Sequence, residues 1–351
     1  MKIAIVLFNL GGPDSPEAVQ PFLKNLFSDP AIISLPSFLR LPLAGFISSR
    51  RAPKAKKIYD QIGGSSPILG QTEAQARALE EALGIGVGGG HEWRGYVCMR
   101  YWHPMTAAAV RSVKRFAPDR IVLLPLYPQF STATTDSSVK AWKAAAVAAR
   151  LAVPTQTVCC YPDEPGFIAA SVDLVKQGLA EVGTGPVRVL FSAHGLPEKV
   201  IRKGDPYQAH VERTAEAIAQ KIAKQTGGLD WSVCYQSRVG PLKWIGPSTA
   251  AEIRRAGADG RSVVLYPLAF VSEHSETLVE LDIDYRRLAG ECGVPAYVRV
   301  PTVGTHPSFI GGLADRVRAI LAEPQVAVCH GATAMPCGAR HLGCPLIAGG
   351  L

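Results

Sequence analysis

The segment VLFNLGGP at residues 6–13 returns as VLFSAHGLP at 189–197, in each case an apolar strand followed by a polar turn with glycine and proline. IVLLPLYPQFS (121–131) returns as VVLYPLAFVS (263–272). GYVCMRYWHPMTAAAVRS (95–112) is paralleled by WSVCYQSRVGPLKWIGPSTAAEIRRA (231–256), each a strand running into a helical stretch. An internal repeat constrains a fold more than any local signal, because each copy is one packing unit. The order is strand, helices, strand, helix, strand, helix, twice over. Strands alternating with helical stretches indicate parallel sheets covered on both faces. The expected class is therefore α/β, with two similar doubly wound domains facing each other across a cleft.

Length and composition agree. The 351 residues suit two domains, and 47% hydrophobic against 19% charged residues lets each bury a core. The expected division is residues 1–155, residues 156–325 and a cysteine-containing tail at 326–351. GIGVGGG (84–90) reads as a flexible connection; it precedes a strand rather than opening a helix, so a phosphate cradle is a poor fit. GGP at 11–13 lacks the third glycine of a dinucleotide fingerprint. MKIAIVLFNLGGP runs straight into a glycine turn with no cleavage site, so it reads as the first strand and not as a signal peptide. No apolar run reaches the roughly 18 residues of a membrane span. The nearest, IISLPSFLRLPLAGFI (32–47), is interrupted by Pro36, Arg40 and Pro42. A cytoplasmic protein is expected, its eight cysteines being thiols or metal ligands rather than disulfides. A net charge of +8 favours acidic partners such as carboxylate ligands or anionic lipid. Nucleic acid is the weakest of these, for want of a zinc-finger spacing, a basic region or an aromatic-basic motif.

Ligands of doubly wound sheets bind beyond the carboxyl ends of the strands. His194 stands at such an end, in FSAHGLPEKVIRKGDPY (191–207), although a histidine that merely caps a turn is an equal alternative on position alone. In FVSEHSETLVELDIDY (270–285), read as an α-helix, Glu273, Glu276, Glu280 and Asp284 fall on one stripe. Like charges so spaced repel by a few tenths of a kcal/mol per pair, roughly. The plain alternative is a solvated acidic face helped by the helix dipole. Set beside His194, the stripe can hold a divalent cation and can accept and export protons. Tyr101, Trp102, Tyr127, Phe130, Trp244 and Phe270 gather at the other strand ends and suggest an apolar pocket, with Arg50, Arg51 and Arg100 to meet acidic groups at its rim.

The same stretches resemble, in order, those of ferrochelatases, which insert ferrous iron into a porphyrin. FNLGGPDS, RRAPKAKKIYDQIGGSSPI, MRYWHP, LYPQFSTATTDSS, FSAHGLPEKVIRKGDPY, YQSRVGPLKWIGP and PLAFVSEHSETLVELDIDY carry the likeness, from about residue 3 to about residue 320. The resemblance implies two Rossmann-like domains with a porphyrin cleft between them. It implies that His194 takes pyrrole protons or meets the metal, and that Glu276 is the acid paired with it across the macrocycle, both touching Fe²⁺ as substrate. Glu273, His274 and Glu280 become the adjoining chain that moves protons or metal. Leu10, Tyr59, Ser66, Arg100, Tyr101, Tyr127, Trp244 and Phe270 line the porphyrin pocket or its metal-access side.

The implied substrates are protoporphyrin IX and Fe²⁺, and the implied product is haem with release of two protons, the last step of haem biosynthesis. Coproporphyrin III as substrate, a carrier without turnover, and a cobalt chelatase for a sirohydrochlorin-type ring are the alternatives. Residues 32–51, followed by Lys54, Lys56 and Lys57, correspond to an apolar lip that can rest on the inner face of an anionic bilayer; a partly buried helical hairpin is the competing reading. Cys329, Cys337 and Cys344, with Cys160 from mid-chain, resemble the bacterial ligand set of a 2Fe–2S cluster. Cys159 competes with Cys160, and zinc or plain thiols are alternatives. The upstream ligand position of the animal pattern reads Thr132.

Overall fold

The computed structural model describes residues 1–84, 90–238 and 242–322, and the backbone of a short strand at 327–329. Most of the GIGVGGG connection, together with Cys337 and Cys344, lies outside the described residues. The strands are β1 (Lys2–Asn9), β2 (Glu92–Met99), β3 (Arg120–Pro125), β4 (Thr155–Cys160), β5 (Val187–His194), β6 (Trp231–Gln236), β7 (Ser262–Pro267), β8 (Tyr297–Arg299) and β9 (Ala327–Cys329). They form two parallel sheets, ordered β2-β1-β3-β4-β9 and β6-β5-β7-β8. The expected α/β class with paired parallel sheets is thus what the chain adopts. Each half also gains a strand beyond the three in its repeat. β4 lies beside β3 in the first sheet, with Ile121 opposite Thr155, so sheet one runs past the expected division at 155/156. Residues 327–329 of the tail extend that sheet on the far side of β4.

Parallel strands covered on both faces need apolar side chains on both. β1 illustrates this. Ile3, Ile5 and Leu7 point into one core, Ala4, Val6 and Phe8 into another, and all six are buried. The first of these cores is shared between the sheets. It joins Ile5 and Leu79 of the first half to Val189, Phe191 and Ile218 of the second, with Phe167, Phe309 and Val317 between them. The helix Pro307–Ala322 returns from the second half to pack on the helices Pro165–Val182 and Ile68–Leu83. Each sheet keeps a private core on its outer face.

Residues 37–51 of the lip lie on a single helix, Ser37–Asp60, of 24 residues. Pro36 stands just before its first turn, and Pro42 and Pro53 fall inside it. A proline within a helix removes one donor but need not end it. The buried side chains on this helix are the small Ala44, Ser48 and Ala52, with Tyr59 near its end. Phe38 is 73% exposed and Phe46 60%, and Leu39, Leu41 and Leu43 are exposed with them. Among the described residues, no helix is long and apolar enough to cross a membrane.

Candidate active site

In both sheets the opening strand of the half is central, its second strand on one side and its third on the other. The chain reverses direction across the sheet at β1 and again at β5, and a ligand crevice opens beyond such switch points. His194 is the last residue of β5, in register with Gln236, the last of β6. Asn9 is the last residue of β1.

The halves are tied together beside this crevice. The Asn9 amide donates to Thr72 Oγ1 (3.0 Å) and Ser272 Oγ (3.4 Å). Gln75 Nε2 donates to the carbonyls of Val271 (2.7 Å) and Gly304 (3.0 Å), and its Oε1 accepts from Ser272 Oγ (3.0 Å). Gln71 Oε1 accepts from the Glu273 amide at 2.7 Å. Helix Ile68–Leu83 therefore holds the loop that leads from β7 to the acidic segment.

That segment is not the regular α-helix expected from sequence. Residues 268–275 are loop, and Glu276–Asp284 is a π-helix, whose wider turn is marked by the Tyr285 amide donating to the carbonyl of Glu280. The four-acid stripe breaks up accordingly. Glu276 and Glu280, one wide turn apart, face the same serine. Glu273 lies before the helix. Its carboxylate accepts from Arg299 Nη1 (2.6 Å), the Thr302 amide (2.9 Å) and the Thr277 hydroxyl, so it braces the fold and has no hydrogen bond to His194 or Glu276. Asp284 pairs with Arg287 at the surface. Among the described residues, no group of three or more histidine, cysteine, aspartate and glutamate side chains is arranged to hold a metal ion. The expected cation-binding row is thereby replaced by a smaller, hydrogen-bonded set.

Its centre is His194, whose Nδ1 lies 2.8 Å from Glu276 Oε2. Two groups in direct contact cannot have a macrocycle between them, so the expected arrangement across the ring is corrected: both occupy one side of any bound ligand. Burial works against the imidazolium, but the charge and hydrogen bond of Glu276, helped by Glu280, outweigh it and hold His194 above its ordinary value. Burial likewise opposes ionisation of Glu276, yet His194 keeps this carboxyl well below the usual range. Glu280 is pushed upward by burial and by its negative neighbour. Two nearby acids with values driven apart suit proton transfer.

The residue that links them is Ser237, which lies in the repeated segment 231–256. It follows β6, and its hydroxyl reaches Glu276 Oε2 (2.9 Å) and Glu280 Oε2, while its amide donates to Glu280 Oε1 (2.8 Å). Its φ is +57°, a left-handed conformation costing a non-glycine residue about 1 kcal/mol or more. Strain of this kind persists where surrounding bonds over-determine it. Gln236 Nε2 adds a 3.4 Å contact to Glu276 Oε2, and the Tyr285 hydroxyl donates to Glu280 Oε1 at 3.0 Å. Its signal in the sequence is its place one residue beyond a strand end, within YQSRVGPLKWIGP. His274 is buried and held neutral by burial; its Nδ1 accepts from the Glu276 amide (3.2 Å), so Nε2 carries the hydrogen, and its ring meets Phe270 edge-on at 4.4 Å.

The expected lining residues divide into two groups. Tyr59 is buried, accepts from Ser275 Oγ (3.3 Å) and has its phenol pushed by burial up to about 12, which places it against the acidic loop. Ser66 donates its amide to the Pro13 carbonyl (2.8 Å), and a Cβ on Gly12 would stand 2.5 Å from Ser66, so glycine is what allows these turns to meet. Leu10, Trp244 and Phe270 are half-buried, and Trp244 lies 3.4 Å from where a Cβ on Gly195 would be. Tyr127 is also half-buried, its phenol raised by burial. Arg100 and Tyr101 are held by Asp29. The Arg100 guanidinium is taken by Asp29 (2.7 Å) and Ser137 (2.8 Å), and the buried Tyr101 hydroxyl donates to Asp29 (2.8 Å), so both anchor the segment leading to the lip. Cys160 ends β4 with its partner in register being Cys329 of β9.

The chain is similar to known proteins. The ferrochelatase family model matches residues 2–321. The ferrochelatase of Caulobacter vibrioides (strain NA1000 / CB15N) is 53% identical over 345 residues, covering 98% of this chain and 97% of its own. That of Phenylobacterium zucineum (strain HLK1) is 54% identical over 316 residues, 90% of each chain. Among solved structures, the sirohydrochlorin chelatase SirB from Bacillus subtilis subspecies spizizenii in complex with cobalt is similar with a TM-score of 0.51 at 14% identity, covering 92% of this chain and 97% of that one, a likeness of fold. With the family pattern matched almost from end to end and half of all residues shared with its curated members, the chain belongs to the ferrochelatase family.

Proposed function

We propose that this chain is a ferrochelatase that inserts Fe²⁺ into protoporphyrin IX, giving haem and two protons. The observation that carries the reading is the hydrogen-bonded His194–Glu276 pair at the carboxyl end of the switch-point strand. A free-base porphyrin holds two inner N–H groups, and iron cannot enter until both protons leave. With Nδ1 committed to Glu276, His194 offers Nε2 to a pyrrole proton. The imidazolium that forms is stabilised by the adjacent carboxylate. Protons then leave by way of Glu276 and Glu280, whose negative charge also attracts the incoming cation. The two domains are the sheets described above, with the catalytic groups on the second. Tyr59, Ser66, Leu10, Trp244 and Phe270 form the porphyrin wall.

The deciding experiment is anaerobic turnover with Fe²⁺, following loss of porphyrin fluorescence and appearance of haem absorbance. Protoporphyrin IX is expected to be consumed faster than coproporphyrin III. Porphyrin binding without turnover would make the protein a carrier, and preference for coproporphyrin would reassign the substrate.

The exposed lip supports contact with a bilayer, which would place a cytoplasmic enzyme at the inner membrane face. Phe38 and Phe46 bring apolar surface, and Lys54, Lys56 and Lys57 bring positive charge. Burial of one phenylalanine is worth about 1.5–3 kcal/mol, so the double change Phe38→Ser/Phe46→Ser is expected to weaken co-sedimentation with anionic liposomes about 10-fold or more. Sedimentation unaffected by these changes and by salt would remove the contact.

A 2Fe–2S cluster held by Cys160, Cys329, Cys337 and Cys344 also fits the family. The supporting observation is the register that sets Cys160 beside Cys329. Four thiolates are the ordinary requirement, and such a cluster would supply one-electron chemistry while tethering the tail to β4. Anaerobically purified protein is expected to show visible absorbance and acid-labile sulfide, both lost in Cys160→Ser. A colourless, sulfide-free wild type would overturn this.

A further inference from the structure

The contacts of Ser237 contain a proton count. Its Oγ lies 2.9 Å from Glu276 Oε2 and 2.5 Å from Glu280 Oε2. A hydroxyl has one hydrogen to donate, so it serves one of these oxygens and must accept from the other. Two ionised carboxylates cannot satisfy both contacts. Glu276 Oε2 already faces His194 Nδ1 at 2.8 Å. On Glu280, Oε1 accepts from the Ser237 amide and from the Tyr285 hydroxyl, which leaves Oε2 to carry a hydrogen. One order of donors fits every contact: Glu280 Oε2–H to Ser237 Oγ, Ser237 Oγ–H to Glu276 Oε2, and His194 Nδ1–H to Glu276 Oε2.

We propose that the Ser237 hydroxyl is the link through which protons pass from Glu276 to Glu280, making this serine a positioning and relay residue for metal insertion. The proposal rests on the ferrochelatase reading above. The step balances. Glu280 first gives its proton to water. Glu276, having received a proton from His194, passes it to Ser237 Oγ as the O–H bond of the serine breaks and a new O–H bond forms on Glu280 Oε2. The serine ends as it began, with its hydrogen exchanged and its charge unchanged. Its left-handed backbone serves this purpose by aiming amide and hydroxyl at the two acids together.

Three variants test the idea in the intact protein. Ser237→Gly relieves the backbone strain and removes the hydroxyl. Ser237→Ala removes the hydroxyl alone. Ser237→Thr keeps the hydroxyl but suits positive φ least, being β-branched. Thermal stability should therefore rank glycine above alanine above threonine. Activity should rank the other way. The Gly and Ala variants are expected to lose about 10–100-fold in kcat, with porphyrin KM within about 2-fold and an increased solvent deuterium isotope effect, while Thr stays within about 5-fold of wild type. Wild-type kcat in Ser237→Gly would overturn the relay, and so would a folded Ser237→Thr as slow as Ser237→Ala. If the Thr variant does not fold, the Gly variant decides alone. Failure of the wild type to insert iron at all would instead reject the function, which keeps the two outcomes apart.

Discussion

Exchange of His194 for alanine is expected to leave porphyrin bound and iron outside it. The imidazole is the base at the end of the switch-point strand, and Glu276, which stands behind it on Nδ1, is not placed to take over the role of Nε2. A positioned general base contributes about 10²–10⁴-fold, so kcat for haem formation should fall by that range. The apolar wall of Leu10, Trp244 and Phe270 is untouched, and porphyrin affinity, read by fluorescence titration, should change no more than about 3-fold. A His194→Ala enzyme that keeps most of its turnover would assign the deprotonation elsewhere.

The second large effect is expected from Glu276→Gln, and it has a sign. Burial alone lowers the value of His194, and the negative carboxylate more than compensates. A neutral amide removes that compensation, so the imidazole loses its proton at lower pH. Neutral His194 is the active base. The acid limb of kcat/KM therefore lies above the ordinary histidine value in the wild type and moves to lower pH in the variant. The plateau should fall about 100-fold, because the imidazolium loses its counter-ion and the serine loses its acceptor. An acid limb that stays in place, or moves upward, would show that the pair is not what sets the rate.

Much of this was legible in the chain. The apolar runs of β1, β3, β5 and β7, buried on both faces, announce themselves, and their repetition yields the two sheets. Position at a strand end made His194 a candidate, and the likeness to ferrochelatases supplied its role. β8 was not legible, because three residues carry no period. β4 was not, because TQTVCC has no counterpart among the repeated strands. The acid stripe was misread for a sharper reason. Sequence periodicity assumes one α-helix through the whole segment, whereas the helix begins only at Glu276 and winds wider, so Glu280 stays in line with Glu276 while Glu273, left in the loop, is drawn off by Arg299. Arg100 was likewise spoken for by Asp29, which no local pattern connects to it. Ser237 lies in YQSRVGPLKWIGP but was not singled out there, because its contacts depend on a backbone angle and on acids some forty residues away.

The apolar core shared by both sheets bears on how a large flat substrate gets in and out. A pair of lobes joined only by a hinge can gape like a clamshell, but lobes that bury Phe167, Phe309 and Val317 between them would have to expose that surface to do so. Wholesale opening would therefore carry a cost. The helix with the exposed Phe38 and Phe46 contributes no residue to that core, so its movement would expose none of it.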